Sequence, residues 1–155
     1  MKMEETISPA MHERVLAALE AIEARHHVRV LYACESGSRG WGFSSPDSDY
    51  DVRFIYVHQP EWYLRIEPPR DVIELPIDSE LDVCGWELRK TLGLLKAANP
   101  TLMEWLDSPV IYRQHPETVQ ALRGLVPDFF SDLRARYHYL SMAKKNFRGY
   151  LQGEQ

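Results

Sequence analysis

The chain has 155 residues, enough for one domain with a real hydrophobic core. Its 45% hydrophobic and 26% charged content excludes a disordered or fibrous protein. A net charge of −5 argues against a coat protein that binds nucleic acid by charge alone, and no apolar run approaches the ~20 residues that cross a bilayer.

Met1-Lys2-Met3-Glu4-Glu5 carries no secretory signal pattern, so the cytoplasm is the expected compartment and no membrane partner is expected. Ser8-Pro9 reads as an N-cap followed by proline at the first helical position, and Met11, Val15, Leu19 and Ile22 then mark one face of a helix to about Arg25. His26 and His27 fall at its end and do not share a face as a metal pair would. Val28 to Ala33 is short and apolar, a buried strand. Glu35 to Ser48, rich in Gly, Ser and Pro, is a loop with room for one helical turn.

Tyr50 to Val57 is the second strand, and Pro60 to Leu64 forms a short helix that Pro68-Pro69 ends. Val72 to Ile77 and Leu81 to Trp86 pair as an antiparallel hairpin around Asp78-Ser79-Glu80. A helix follows with Leu88, Leu92 and Leu95 inward, weakened by ~1 kcal/mol at Gly93. Asn99-Pro100 caps the next helix, which carries Leu102, Trp105 and Leu106. Val110 to Tyr112 is a last short strand, and His115-Pro116 opens another helix. From about Asp128, Phe129, Leu133, Tyr137, Leu140, Phe147 and Leu151 form a long stripe at helical spacing that needs a cover. Packing back on the domain, a partner chain (a helical partner or a second copy), or further chain in a longer native protein would supply one. The pattern divides the chain into a core domain over 1–126 and a C-terminal helical segment over 127–155. The two cysteines, Cys34 and Cys84, read as buried free thiols.

The chemistry gathers around Gly37-Ser38 and Asp49-Tyr50-Asp51. Side chains alternate along a strand, so Asp49 and Asp51 share a face about 6–7 Å apart, with Arg53 continuing it. Paired carboxylates repel, and a divalent cation relieves them; oxygen ligands suit magnesium rather than zinc. Two-metal phosphoryl transfer wants a further carboxylate from a neighbouring strand. Asp82, flanked by Leu81 and Val83, is the choice over Glu74, Asp78 and Glu80, and Cys84 and Trp86 would share its face. Backbone N–H groups at Gly37, the Ser38 hydroxyl, and the guanidinium groups of Arg39 and Arg53 would meet phosphate oxygens. A calcium loop from Asp47 fails, because Val52 replaces its glycine and His58 its bidentate glutamate. No Walker lysine follows the glycines.

Glu35-Ser36-Gly37-Ser38-Arg39-Gly40-Trp41-Gly42-Phe43, followed by Ser45-Pro46-Asp47-Ser48-Asp49-Tyr50-Asp51-Val52-Arg53-Phe54, resembles the DNA polymerase beta-like nucleotidyltransferase superfamily. More narrowly it is similar to predicted bacterial nucleotidyltransferases associated with RNA repair operons. Leu81-Asp82-Val83, Gly85 to Lys90 and Asn99-Pro100-Thr101 also fit.

The resemblance implies an α/β (α+β) fold with a small mixed sheet, and a chain shortened relative to the family. It implies transfer of a nucleoside monophosphate from a nucleoside triphosphate to an acceptor hydroxyl, with an RNA 3′ end, a protein hydroxyl and a small molecule all open as acceptors. Asp49, Asp51 and Asp82 would be catalytic and hold two Mg²⁺ ions, with Mn²⁺ as substitute. Gly37, Ser38, Arg39 and Arg53 would hold the nucleotide. A non-catalytic nucleotide-binding protein and an antitoxin-like interaction module are the alternatives on the same fold.

Overall fold

The computed structural model describes residues 7–37, 49–78, 80–130 and 140–147. Helix α1 (Pro9–His26) starts where the Ser8 side chain accepts from the Met11 N–H at 3.2 Å. It ends at His27, whose φ of 54° places it in the left-handed region. Met11, Val15, Leu19 and Ile22 are its buried face, as the spacing predicts.

The strands are β1 (Val28–Glu35), β2 (Tyr50–His58), β3 (Val72–Glu74), β4 (Leu81–Glu87) and β5 (Ile111–Gln114). They form one mixed sheet in the order β3-β4-β2-β1-β5. The β2–β4 pair is parallel, and β1–β2, β1–β5 and β3–β4 are antiparallel. The expected hairpin thus forms, but β3 stops at Glu74 rather than Ile77, whose side chain is exposed.

Further helices are α2 (Leu88–Lys96), α3 (Pro100–Asp107) and α4 (Pro116–Phe129), and Pro60–Leu64 is a 3-10 turn. α1 covers one face of the sheet around Val30, Val52, Phe54 and Tyr56. On the other face, Leu95, Leu102, Trp105, Val119 and Leu122 from α2, α3 and α4 pack on Tyr32, Cys34 and Ile55. A register shift between Val30 and Tyr32 switches the alternation of β1, so Val30 and Tyr32 join opposite clusters.

Two inward assignments change. In α2 the buried positions are Thr91 and Leu95, while Leu92 is exposed. Thr91 satisfies its hydroxyl on the Glu87 carbonyl at 2.9 Å, which lets a polar residue take the inward place. Cys34 is buried, but Cys84 is only partly so. Residues 140–147 are helical, with Leu140 and Phe147 exposed, whereas Leu133, Tyr137 and Leu151 of the stripe lie outside the described residues.

Candidate functional site

Parallel pairing sets Asp51 directly opposite Asp82 at the start of β2 and β4. Partners in register point to the same side of a sheet, so the two carboxyls share a face. Alternation brings Arg53 to that face too. Its Nη2 lies 3.0 Å from Asp82 Oδ2 and 4.0 Å from Asp51 Oδ1. Its Nη1 donates to the backbone carbonyls of Val52 and Asp82, at 3.0 and 3.2 Å. Arg53 is therefore a resident counter-ion to the carboxylates rather than a free cation. Asp49 precedes β2 and is exposed.

Burial pushes the Asp51 carboxyl above its usual range, the Arg53 guanidinium opposes the shift, and the charges of Asp82 and Asp49 add to it. An open depression of about 470 Å³ adjoins the cluster, lined by Arg53, Asp82, Cys84, Glu74 and the Leu75–Ile77 segment. Among the competing acids, Asp78 and Glu80 are exposed and paired with Arg14 of α1, and Glu74 pairs with Arg70 at 3.1 Å.

Gly37 sits against this cluster. A Cβ there would lie 2.2 Å from Asp51 Oδ2, so only a residue without a side chain leaves the carboxylate in place. The Ser36 N–H donates to the Asp51 carbonyl at 2.9 Å, holding the turn beside the strand. Ser38 and Arg39 lie outside the described residues.

The sequence reading missed Glu35. It is fully buried, and its Oε1 accepts from the Asp51 N–H at 2.8 Å while its Oε2 accepts from the Tyr112 hydroxyl at 2.7 Å. Burial raises its carboxyl pKa; the bonds from Tyr112 and from the Asp51 and Gly37 N–H groups pull it back. A glutamate closing the apolar run Val28–Ala33 was the available signal, since a buried carboxyl must have partners. Glu87 is its counterpart at the other end of β4. It caps α2 by accepting from the Arg89 and Lys90 N–H groups at 2.7 and 3.2 Å, and from the Tyr63 hydroxyl at 2.5 Å.

As a metal site the donors have the right chemistry: carboxylate oxygens on one face, beside a glycine that leaves room. Among the described residues no three His, Cys, Asp or Glu side chains stand together as a ready metal cage, and Arg53 lies between Asp51 and Asp82. Binding a cation there requires the guanidinium to yield or to turn onto an anion that arrives with it.

A family model described as "RNA repair pathway DNA polymerase beta family" matches residues 11–155. The chain is 52% identical over 145 residues to an uncharacterized protein, YcgL, of Bacillus subtilis (strain 168). That alignment covers 94% of this chain and 56% of the relative, so the chain spans little more than half the relative's length. No solved structure matches. Among the described residues, no helix is long and apolar enough to cross a membrane.

Proposed function

The chain belongs to the RNA repair pathway DNA polymerase beta family, and from that premise we propose that it transfers a nucleoside monophosphate from a nucleoside triphosphate to an acceptor hydroxyl. The observation that carries the reading is the in-register pair Asp51–Asp82, with Gly37 packed against Asp51. In the proposed step the acceptor oxygen bonds to the α-phosphorus and the bond from that phosphorus to the bridging oxygen breaks. Pyrophosphate leaves with the bond electrons, and the hydroxyl proton passes to Asp82.

Asp49, Asp51 and Asp82 would hold Mg²⁺. When bound, magnesium neutralises charge on the triphosphate and the leaving pyrophosphate. Gly37 and Ser38 would offer hydrogen-bond donors to phosphate oxygens, with Arg39 beside them. Arg53 would leave Asp82 for the triphosphate, so that a negatively charged nucleotide replaces one ion pair by another. The acceptor would approach through the depression beside Asp82. The family's name supports an RNA end as that acceptor.

The test is transfer of label from an α-³²P nucleoside triphosphate to RNA in the presence of Mg²⁺. Asp82→Asn, and Asp49→Asn with Asp51→Asn, should each lower transfer by about 10³-fold or more, roughly 4 kcal/mol of barrier. Full transfer by the double variant would refute the assignment.

A further inference from the structure

Glu35 belongs to no part of the step just described, yet it is fully buried and its carboxylate touches the Asp51 backbone. Its main chain is fixed by β5 and the segment before it. The Glu35 N–H donates to the Val110 carbonyl at 3.0 Å, and the Ser108 hydroxyl donates to the Glu35 carbonyl at 2.6 Å. The side chain is fixed by Tyr112 on β5, itself buried. One carboxylate oxygen therefore has a set position, and that oxygen takes the Asp51 N–H.

The contact is made to the one residue that opposes Asp82 across the parallel pair and against which Gly37 is packed. The Tyr50 N–H donates to the Glu80 carbonyl at 2.8 Å and the Ser36 N–H to the Asp51 carbonyl at 2.9 Å, so the Asp51 N–H is the backbone group there that a side chain must satisfy. The bond from Glu35 holds Asp51 at that end of the strand.

We propose that Glu35 is a positioning residue: its buried carboxyl fixes the Asp51 backbone and the adjoining Gly37 turn, and binding of a metal–nucleotide complex at the site depends on that reach rather than on its charge. The inference rests on the nucleotidyltransferase reading above. Two variants separate reach from charge. Glu35→Asp keeps the charge and withdraws the carboxyl by one carbon–carbon bond, about 1.5 Å, which takes it away from the Asp51 N–H. Glu35→Gln loses the charge and keeps the reach. Its amide oxygen can accept from the Asp51 N–H, while its NH₂ donates to the Tyr112 hydroxyl, which then acts as acceptor.

The experiment titrates each purified protein with Mn²⁺ and α,β-methylene-ATP, reading free Mn²⁺ by electron paramagnetic resonance. Glu35→Asp should weaken binding by about tenfold or more, about 1.4 kcal/mol, because the Asp51 N–H loses its acceptor and the strand end that carries Asp51 is no longer fixed. Glu35→Gln should stay within about threefold of the parent. Val15→Ala, a destabilised control in the core under α1, should bind as the parent does. A parent chain that binds no Mn²⁺–nucleotide removes the nucleotidyltransferase reading and this inference with it. A parent that binds while Glu35→Asp binds equally well, or while Glu35→Gln is as weak as Glu35→Asp, overturns the inference alone.

Discussion

The two ends of the β2–β4 pair are built from the same parts and serve different purposes. At the Asp51–Asp82 end stand Gly37 and the buried Glu35, whose carboxyl takes a strand N–H and a tyrosine hydroxyl. At the Tyr56–Glu87 end stand Gly85 and the buried Glu87, whose carboxyl takes two helix N–H groups and a tyrosine hydroxyl. A buried glutamate satisfied by backbone and tyrosine is thus a general brace. What it braces decides its meaning: a pair of carboxylates open to solvent in one case, the start of α2 in the other.

The glycines give the strongest way to break this comparison. Gly37→Ala places a Cβ on Asp51 Oδ2, the free end of a side chain that can swing away. Stability should hardly change, while nucleotidyl transfer should fall by about 10²-fold as Asp51 leaves its place. Gly85→Ala instead places a Cβ 2.2–2.5 Å from three Phe54 ring atoms inside the core. It should cost about 1–3 kcal/mol, which at about 2–4 °C per kcal/mol is visible in a thermal melt. Transfer per folded molecule should be unchanged. If both variants lose only stability, the two ends of the pair are equivalent and the functional reading of Gly37 is lost.

Glu87→Gln sharpens the same contrast with a smaller effect. The amide oxygen can still cap α2, but the charge-assisted bonds to the helix N–H groups weaken. A loss of about 1 kcal/mol in urea denaturation is expected. Mn²⁺–nucleotide affinity should not move. An affinity loss as large as that of Glu35→Asp would mean that either brace affects the site, and that proximity to Asp51 is not what matters.

How much of this could be read from the chain depended on how local the code is. Ser8-Pro9 and Asn99-Pro100 declared two helix starts, because a cap and a fixed φ act over one turn. The alternation in Tyr50–Val57 put Asp51 and Arg53 on one face for the same reason. That Asp82 would stand opposite Asp51 is a matter of register between strands distant in sequence, so motif order could suggest it and spacing alone could not. The β1 register shift was invisible, and it switches which face the end of that strand presents. Arg53 was legible as a cation near the site, but not as the partner of Asp82. Leu92 was misassigned because three leucines at helical spacing outweighed Thr91, whose hydroxyl finds its acceptor within the same turn.

The smallest effect concerns how stability varies with pH. The native Glu35 carboxyl holds its proton more firmly than an unfolded glutamate, because burial and the neighbouring Asp51 charge outweigh the bonds it accepts. Between the ordinary glutamate value and the raised native one, the folded chain therefore binds more protons than the unfolded chain. The contribution of Glu35 to stability thus falls as pH rises through that window and is constant on either side of it. Asp51, raised by burial and by Asp82 and Asp49 against Arg53, slopes the same way, as does Glu104 through burial alone. Tyr112, Asp51 and the Cys34 thiol feel the Glu35 charge; burial and that charge hold the Tyr112 hydroxyl and the Cys34 thiol protonated throughout. Glu35→Gln should consequently remove one part of the slope and leave the parts from Asp51 and Glu104, together with the opposite slope from His58, whose pKa burial lowers. Urea midpoints measured from the ordinary glutamate range up to neutral pH would check it. Identical slopes in parent and variant would mean that Glu35 is ionised as easily in the folded chain as in the unfolded one, and that its bonds to Asp51 and Tyr112 fully offset its burial.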